Sequence, residues 1–204
     1  MFKIAISGKA NSGKNTLAHL LIEELDPLCY YIDAFANPIK SMIEQMIPNV
    51  DKNCLYGSSQ LRSKVVNNDL FDKNGKPLTY RQLLIDLGTL GRSYNKNIWI
   101  NKIEEKVLSE TQKMIKTLGQ SNYHKKSAYI ITDCRFENEA EWLKNNYFYL
   151  IRIKRKDNIE INDATETAQD IIKDDFFDFI INNDSDLDSL RLKVKNIVAK
   201  IEPT

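Results

Sequence analysis

The 204-residue sequence contains no apolar run near the ~20 residues that a membrane-spanning helix needs, so a helical membrane protein is excluded as a reading. Charge of one sign is not in excess. Lys and Arg number 29 against 28 Asp and Glu, and the basic field of many nucleic-acid binders is missing. A direct nucleic-acid partner is therefore not expected. Cysteine is scarce and odd in number: Cys29, Cys54 and Cys134 stand far apart, with neither metal-ligand spacing nor an even disulfide framework. That usage favours reduced thiols in a soluble cytoplasmic protein. Met1 to Gly8 reads as a strand running into a glycine, not as a signal peptide. There is no internal repeat. No Ser/His/Asp set is evident either; His19 falls in a helical pattern and His124 in a polar stretch, and both read as structural or solvated.

What is present is an alternation of strands and helices in a length suited to one compact domain. Phe2 to Ser7 is a short, mostly apolar run, as in a buried parallel strand. Thr16 to Leu25 carries Leu17, Leu20, Leu21 and Leu25 at helical spacing before Asp26-Pro27. Cys29 to Phe35 reads as a second strand, and Asn37-Pro38 opens a second helix. Residues 48–78 are rich in turn chemistry and read as an irregular insertion. Tyr80 to Leu87 and Ile98 to Lys116 are predicted helices, separated by Gly88, Gly91 and Asn95, and Gln120 to Ser127 is a predicted polar loop. Ala128 to Thr132 and Phe148 to Ile153 are further strands, with a helix over Glu137 to Asn145 between them. Residues 154–175 are charge-rich and suggest a short helical flap; a fifth strand at Phe179 to Ile181 and a closing helix from Leu187 to Ile201 follow. Strand-helix alternation of this kind predicts an α/β domain with a parallel sheet.

The strongest chemical signal is Gly8-Lys9-Ala10-Asn11-Ser12-Gly13-Lys14-Asn15-Thr16, a Gly-x-x-x-x-Gly-Lys loop after a strand and before a helix. Glycines let successive backbone N–H groups turn towards phosphates, and the following helix presents its N-terminus to the anion. Lys14 supplies a point charge for the β- and γ-phosphates. The hydroxyl usual after that lysine is displaced: Asn15 stands there, and Thr16 follows. Gly8, Asn11, Ser12, Gly13, Lys14, Asn15 and Thr16 are the expected donor-binding residues. ATP is the expected phosphate donor, with Mg²⁺ near Thr16 and Asp133.

This loop and a set of later segments, taken in order, resemble the bacteriophage deoxynucleoside monophosphate kinases, within the nucleoside monophosphate kinase superfamily. The matching segments are Phe35-Ala36-Asn37-Pro38-Ile39-Lys40, Arg81 to Leu84 with Leu87-Gly88-Thr89, Trp99, Asp133-Cys134-Arg135 with Glu139, Thr165-Glu166, and Ile181 to Ser185. The resemblance implies a three-layer P-loop NTPase fold: a five-stranded parallel sheet flanked by helices, a helical acceptor-binding insertion over 41–127, and a short lid over 154–175. It implies transfer of phosphate from ATP to a deoxynucleoside monophosphate, in the host cytoplasm, by a monomer or homodimer without a membrane partner. Ile39, Lys40, Arg81, Trp99, Arg135, Glu139 and Glu166 are the implied acceptor contacts. The family's Asp after the lysine is Asn15 here, and the histidine that often precedes its Thr-Glu pair is absent near Asp163.

Chemistry assigns further roles. Phosphoryl transfer between two anions needs cations around the moving group and no general base, because the acceptor is already an oxyanion. Lys14, Arg135 and Arg155 are the expected catalytic cations. Asp133 lies just past a strand end, where open α/β sheets bind ligands. Competing readings stay beside these: Lys40 as a solvated lysine, Asp133 and Arg135 as a surface pair, Thr165-Glu166 as a helix cap, and Trp99 as a core aromatic. Two alternative functions remain. One is another small-molecule P-loop kinase of the phosphomevalonate or dephospho-coenzyme A type; the other is a nucleotide-binding regulatory protein.

Overall fold

All five strands of the sheet are parallel, in the order β2-β3-β1-β4-β5, formed by Phe2–Ser7 (β1), Cys29–Asp33 (β2), Ser127–Ile131 (β3), Tyr149–Lys154 (β4) and Phe179–Asn182 (β5). The computed structural model describes residues 1–67, 69–156, 164–201 and 203, without the side chains of 164–166. The chain divides into two units, Met1–Phe35 with Ile103–Thr204, and Ala36–Lys102.

In the first unit, register decides which side chains share a face. Ile4 lies beside Ile130, Ile6 beside Ile151, and Ile153 beside Ile181. With strand periodicity of two, all of these point to one side. There they pack on Leu17, Leu20 and Leu21 of helix α1 (Lys14–Leu25) and on Leu190, Val194 and Ile197 of helix α9 (Leu187–Val198). Each such buried aliphatic side chain contributes about 2 kcal/mol. The opposite face carries Ala5, Ser7, Tyr31, Asp33, Tyr129, Leu150 and Arg152. It adjoins helix α7 (Glu137–Asn145), where Trp142 meets both Phe35 and Phe148. That face is more polar, and it holds the buried charges Asp33 and Arg152. Helices on both faces of a parallel sheet give the three-layer α/β architecture that the sequence predicts.

The second unit begins with helix α2 (Asn37–Met46) and continues through α3 (Lys52–Tyr56), a 3₁₀ turn at Ser59–Ser63, and helix α4 (Tyr80–Tyr94). Its core gathers Ile39, Ile43, Cys54, Leu55, Tyr80 and Trp99. Bridges Val65 to Thr79 and Phe71 to Pro77 fold the turn-rich stretch into a small antiparallel loop. The expected insertion, 41–127, has residues 41–102 in this unit; helix α5 (Ile98–Leu118) begins here and continues into the first unit.

Two sequence expectations need correction. Helix α4 does not stop at Leu87 but runs on through Gly88 and Gly91 to Tyr94. Those glycines serve packing: a Cβ on Gly91 would lie 2.3 Å from the Trp99 ring, and Trp99 Nε1 donates to the Gly88 carbonyl at 3.0 Å. The predicted loop at 120–127 contains helix α6 (Gln120–Lys126), which follows Gly119 at φ 74° and buries Tyr123. Among the described residues, no helix is long and apolar enough to cross a membrane.

The cysteines differ in reach. Burial pushes the Cys134 thiol well above its usual pKa, and the Glu139 and Asp133 carboxylates add to the shift. Burial and the Asp51 carboxylate likewise raise Cys54. Cys29 is half-buried. A thiol-disulfide dye at neutral pH is therefore expected to titrate one thiol in the native protein, assigned to Cys29 by mass spectrometry, and all three after denaturation. Rapid native labelling of Cys134 would contradict this packing.

Candidate active site

The loop between β1 and α1 is shaped by backbone conformations that most residues avoid. Gly13 has φ 100° and Asn11 has φ 62°, the latter in the left-handed region that asparagine tolerates. Gly8 could not be another residue without movement, since an added Cβ would meet the Ile153 carbonyl at 2.5 Å and Ser12 Oγ at 2.7 Å. Ser12 N donates to the Lys9 carbonyl at 3.2 Å and closes the turn. The Lys14 ammonium lies over this loop, donating to the carbonyls of Gly8 at 2.5 Å and Lys9 at 2.7 Å. Helix α1 carries no acidic residue in its first turn, so its positive end is not neutralised by its own side chains. Asn15 and Thr16 both stand exposed in that turn.

Ser7 Oγ and Ser12 Oγ are buried and find no hydrogen-bond partner among the described residues. A loop with an ammonium, a helix N-terminus and an orphaned buried hydroxyl fits the phosphates of a nucleotide. The Asn182 to Ser185 turn is attached to it: Asn183 Nδ2 donates to the Ser12 carbonyl at 2.9 Å and stands 2.5 Å from where a Gly13 Cβ would be.

The segment after β3 is anchored residue by residue. Asp133 Oδ1 accepts from Phe35 N at 2.6 Å, and Cys134 N donates to the Ile6 carbonyl at 3.2 Å. Arg135 N donates to Glu139 Oε2 at 2.8 Å, and Phe136 N donates to the same oxygen at 3.1 Å. Glu139, expected to touch Arg135 or an acceptor group, is 4 % exposed and caps helix α7 by holding that backbone. Arg135 itself is half-buried. Among the described residues, no group of three or more His, Cys, Asp or Glu side chains could hold a metal. Mg²⁺ does not require one; a hydroxyl, a carboxylate, waters and phosphate oxygens form its usual set, and Thr16 and Asp133 have the right chemistry.

Asp33 was not singled out from the sequence, yet it is 1 % exposed at the end of β2. Its Oδ1 accepts from Ala34 N at 2.8 Å and its Oδ2 from Tyr129 Oη at 2.9 Å. Burial, with the Asp33 carboxylate beside it, raises the Tyr129 phenol far above its usual range and keeps it a donor. The only signal in the sequence was a carboxylate in the aromatic run Tyr30 to Phe35.

The structure separates Arg155, an expected catalytic cation, from Arg152 of β4. Arg155 is exposed just past β4. Arg152 is 8 % exposed, with its guanidinium on Asp174 and on the Gln169 carbonyl. Helix α8 (Ala164–Ile171) lies within the expected lid; the side chains of Thr165 and Glu166, and residues 157–163 of that stretch, lie outside the described residues.

In the second unit, Lys40 is not a solvated lysine. It is 7 % exposed, donates to Asn37 Oδ1 at 3.0 Å and sits 5.1 Å from the centroid of the Tyr56 ring. Arg81 Nη2 donates to the Ser59 carbonyl at 3.0 Å. Ile39 and Trp99 lie in the unit's core, Trp99 at 5 % exposure and packed on Gly91.

A parallel sheet of order β2-β3-β1-β4-β5, whose central strand runs through a glycine loop into α1, defines the class: P-loop α/β proteins. Within it, the chain belongs to the deoxynucleotide monophosphate kinase family, whose model matches residues 56–194. It is a phosphotransferase of the nucleotide kinase kind. A similar curated protein, "Putative deoxynucleotide monophosphate kinase" from Acanthamoeba polyphaga mimivirus, is 25 % identical over 199 residues, covering 97 % of this chain and 96 % of that one. Among solved structures, dephospho-CoA kinase from Campylobacter jejuni aligns with a TM-score of 0.48 at 17 % identity, over 98 % of this chain and 96 % of that chain.

Proposed function

We propose that the protein phosphorylates deoxynucleoside monophosphates at the expense of ATP, giving the diphosphate and ADP. The observation that carries this reading is the Lys14 ammonium held over the Gly8–Thr16 loop, in a chain whose family is the deoxynucleotide monophosphate kinases. The loop's N–H groups and Lys14 hold the donor phosphates and fix the γ-phosphoryl group for in-line attack. Thr16 and Asp133 are the residues that would hold Mg²⁺, which would supply neutralising charge to the donor phosphates. Arg135 and Arg155 supply positive charge to the transferring and acceptor phosphates. On the resemblance, Lys40, Arg81 and Glu166 are acceptor contacts, whereas Trp99, 5 % exposed and packed on Gly91, serves the core rather than a base.

The test is a coupled ADP-release assay with ATP and Mg²⁺ against dTMP, dGMP, dCMP and dAMP and their ribose counterparts. Turnover with deoxynucleotides well above the rate without an acceptor is expected. ATP binding with no turnover on any nucleotide would overturn the acceptor assignment.

A further inference from the structure

Helix α8 is held at its C-terminal end by an arrangement that the proposed chemistry does not use. Arg152 lies on β4 directly beside Ser7, the last residue of β1 before the glycine loop. Its guanidinium is buried and makes three contacts with described residues. Nη1 donates to Asp174 Oδ1 at 2.7 Å, Nη2 donates to the Gln169 carbonyl at 2.9 Å, and the Phe177 ring lies 4.0 Å from the guanidinium carbon. Lys154, two residues on and on the same side of the strand, pairs with the other oxygen of Asp174. Asp174 thus joins the strand that leads into the charged segment to the turn that leaves it, 20 residues later. A third tie runs from α8 to the glycine loop, where Lys9 Nζ meets Asp170 Oδ2 at 3.1 Å.

Burying a guanidinium is costly unless its donors are matched, and these are matched by α8 and the turn that follows it. The Gln169 carbonyl is one of the last of the helix, where cations are favoured. A surface ion pair such as Lys9 with Asp170, both half-exposed, would hold little by itself. Of these two, the buried Arg152 contact is the stronger hold on the helix.

We propose that Arg152, with Asp174, is a positioning residue that fixes helix α8 against the glycine loop, and that acceptor affinity depends on this fixing. The acceptor part rests on the proposed function; the fixing of the helix does not. The named donors of Arg152 are spent on Asp174 and on the Gln169 carbonyl.

The experiment uses the full chain with Asp174→Asn, Arg152→Lys and the double variant, and with Asp174→Glu as the conservative rescue. Asp174 is about half exposed, so its variants keep the fold, which thermal unfolding checks. Tryptic cleavage after Arg155 and Lys156, without nucleotide, is expected to quicken by about tenfold in Asp174→Asn and to return towards the parent rate in Asp174→Glu. In steady-state kinetics the KM for the acceptor is expected to rise about tenfold, with the KM for ATP unchanged. The double variant should cost less than the product of the single effects. Parent-like cleavage in Asp174→Asn would overturn the clasp whether or not the enzyme accepts deoxynucleotides. Faster cleavage with an unchanged acceptor KM, or with both KM values raised alike, would overturn its role for the acceptor. An enzyme that turns over no nucleotide would fail the proposed function, and with it the acceptor role, leaving cleavage to decide the clasp.

Discussion

Lys14→Ala is expected to lower phosphate transfer by about a thousandfold or more and to leave the thermal unfolding midpoint within a few degrees of the parent. The two halves of this expectation come from one geometry. The ammonium donates to the Gly8 and Lys9 carbonyls, both on a loop at the surface end of β1. Lys9 is exposed, so water can replace the ammonium on its carbonyl and little stability is lost. On the proposed function the substitution also removes the compact charge that meets the γ-phosphoryl group as it moves from donor to acceptor. Lys9, the other lysine of the loop, is turned towards Asp170. Lys14→Arg should rescue poorly, because a planar guanidinium does not replace a point charge in so tight a turn. ADP release under saturating acceptor and calorimetric unfolding check the two halves separately. Parent-like turnover in Lys14→Ala would remove the donor site from the Gly8–Thr16 loop.

The loop was legible in the sequence because its signal is local. An apolar strand, two glycines five residues apart and a helical pattern must be contiguous to work, and in this chain they are. The sheet was legible for the same reason, since buried parallel strands read as short apolar runs. What escaped depended on distant partners. Gly88 and Gly91 look like helix breakers, and their use in admitting the Trp99 ring emerges only when Trp99 folds back on α4. Helix α6 is polar in all but Tyr123, whose burial joins it to the start of the chain through the sulfur of Met1, 3.5 Å from its hydroxyl. The place of Arg152 depends on distant partners too. The Gln169 carbonyl and the Phe177 ring, far along the chain, give it a buried place, while Lys154, which shares Asp174 with it, stays exposed. Lys40 was likewise weighed as a surface lysine, and only the Tyr56 ring and Asn37 give it an interior place.

Arg135→Ala is expected to lower kcat by about a hundredfold or more, about 3 kcal/mol of transition-state stabilisation, with a smaller effect on ATP binding. The physical case is preorganisation. Three consecutive residues after β3 are each tied to a different element: Asp133 to Phe35 after β2, Cys134 to Ile6 of β1, and Arg135 to Glu139 of α7. A backbone so fixed lets a guanidinium meet developing charge without first being ordered, which is where electrostatic stabilisation is strongest. Glu139 provides an internal control. Its carboxylate holds Arg135 N and Phe136 N, so Glu139→Gln keeps the shape and one acceptor oxygen while removing the charge. A loss of about tenfold in kcat is expected for Glu139→Gln, less than for Arg135→Ala, and the double variant should resemble Arg135→Ala alone. If the anchored segment serves only the fold, Arg135→Ala will retain the parent kcat. Arg135 would then be a surface partner of its neighbours, and the charge on the moving phosphate would fall to Lys14 and Arg155.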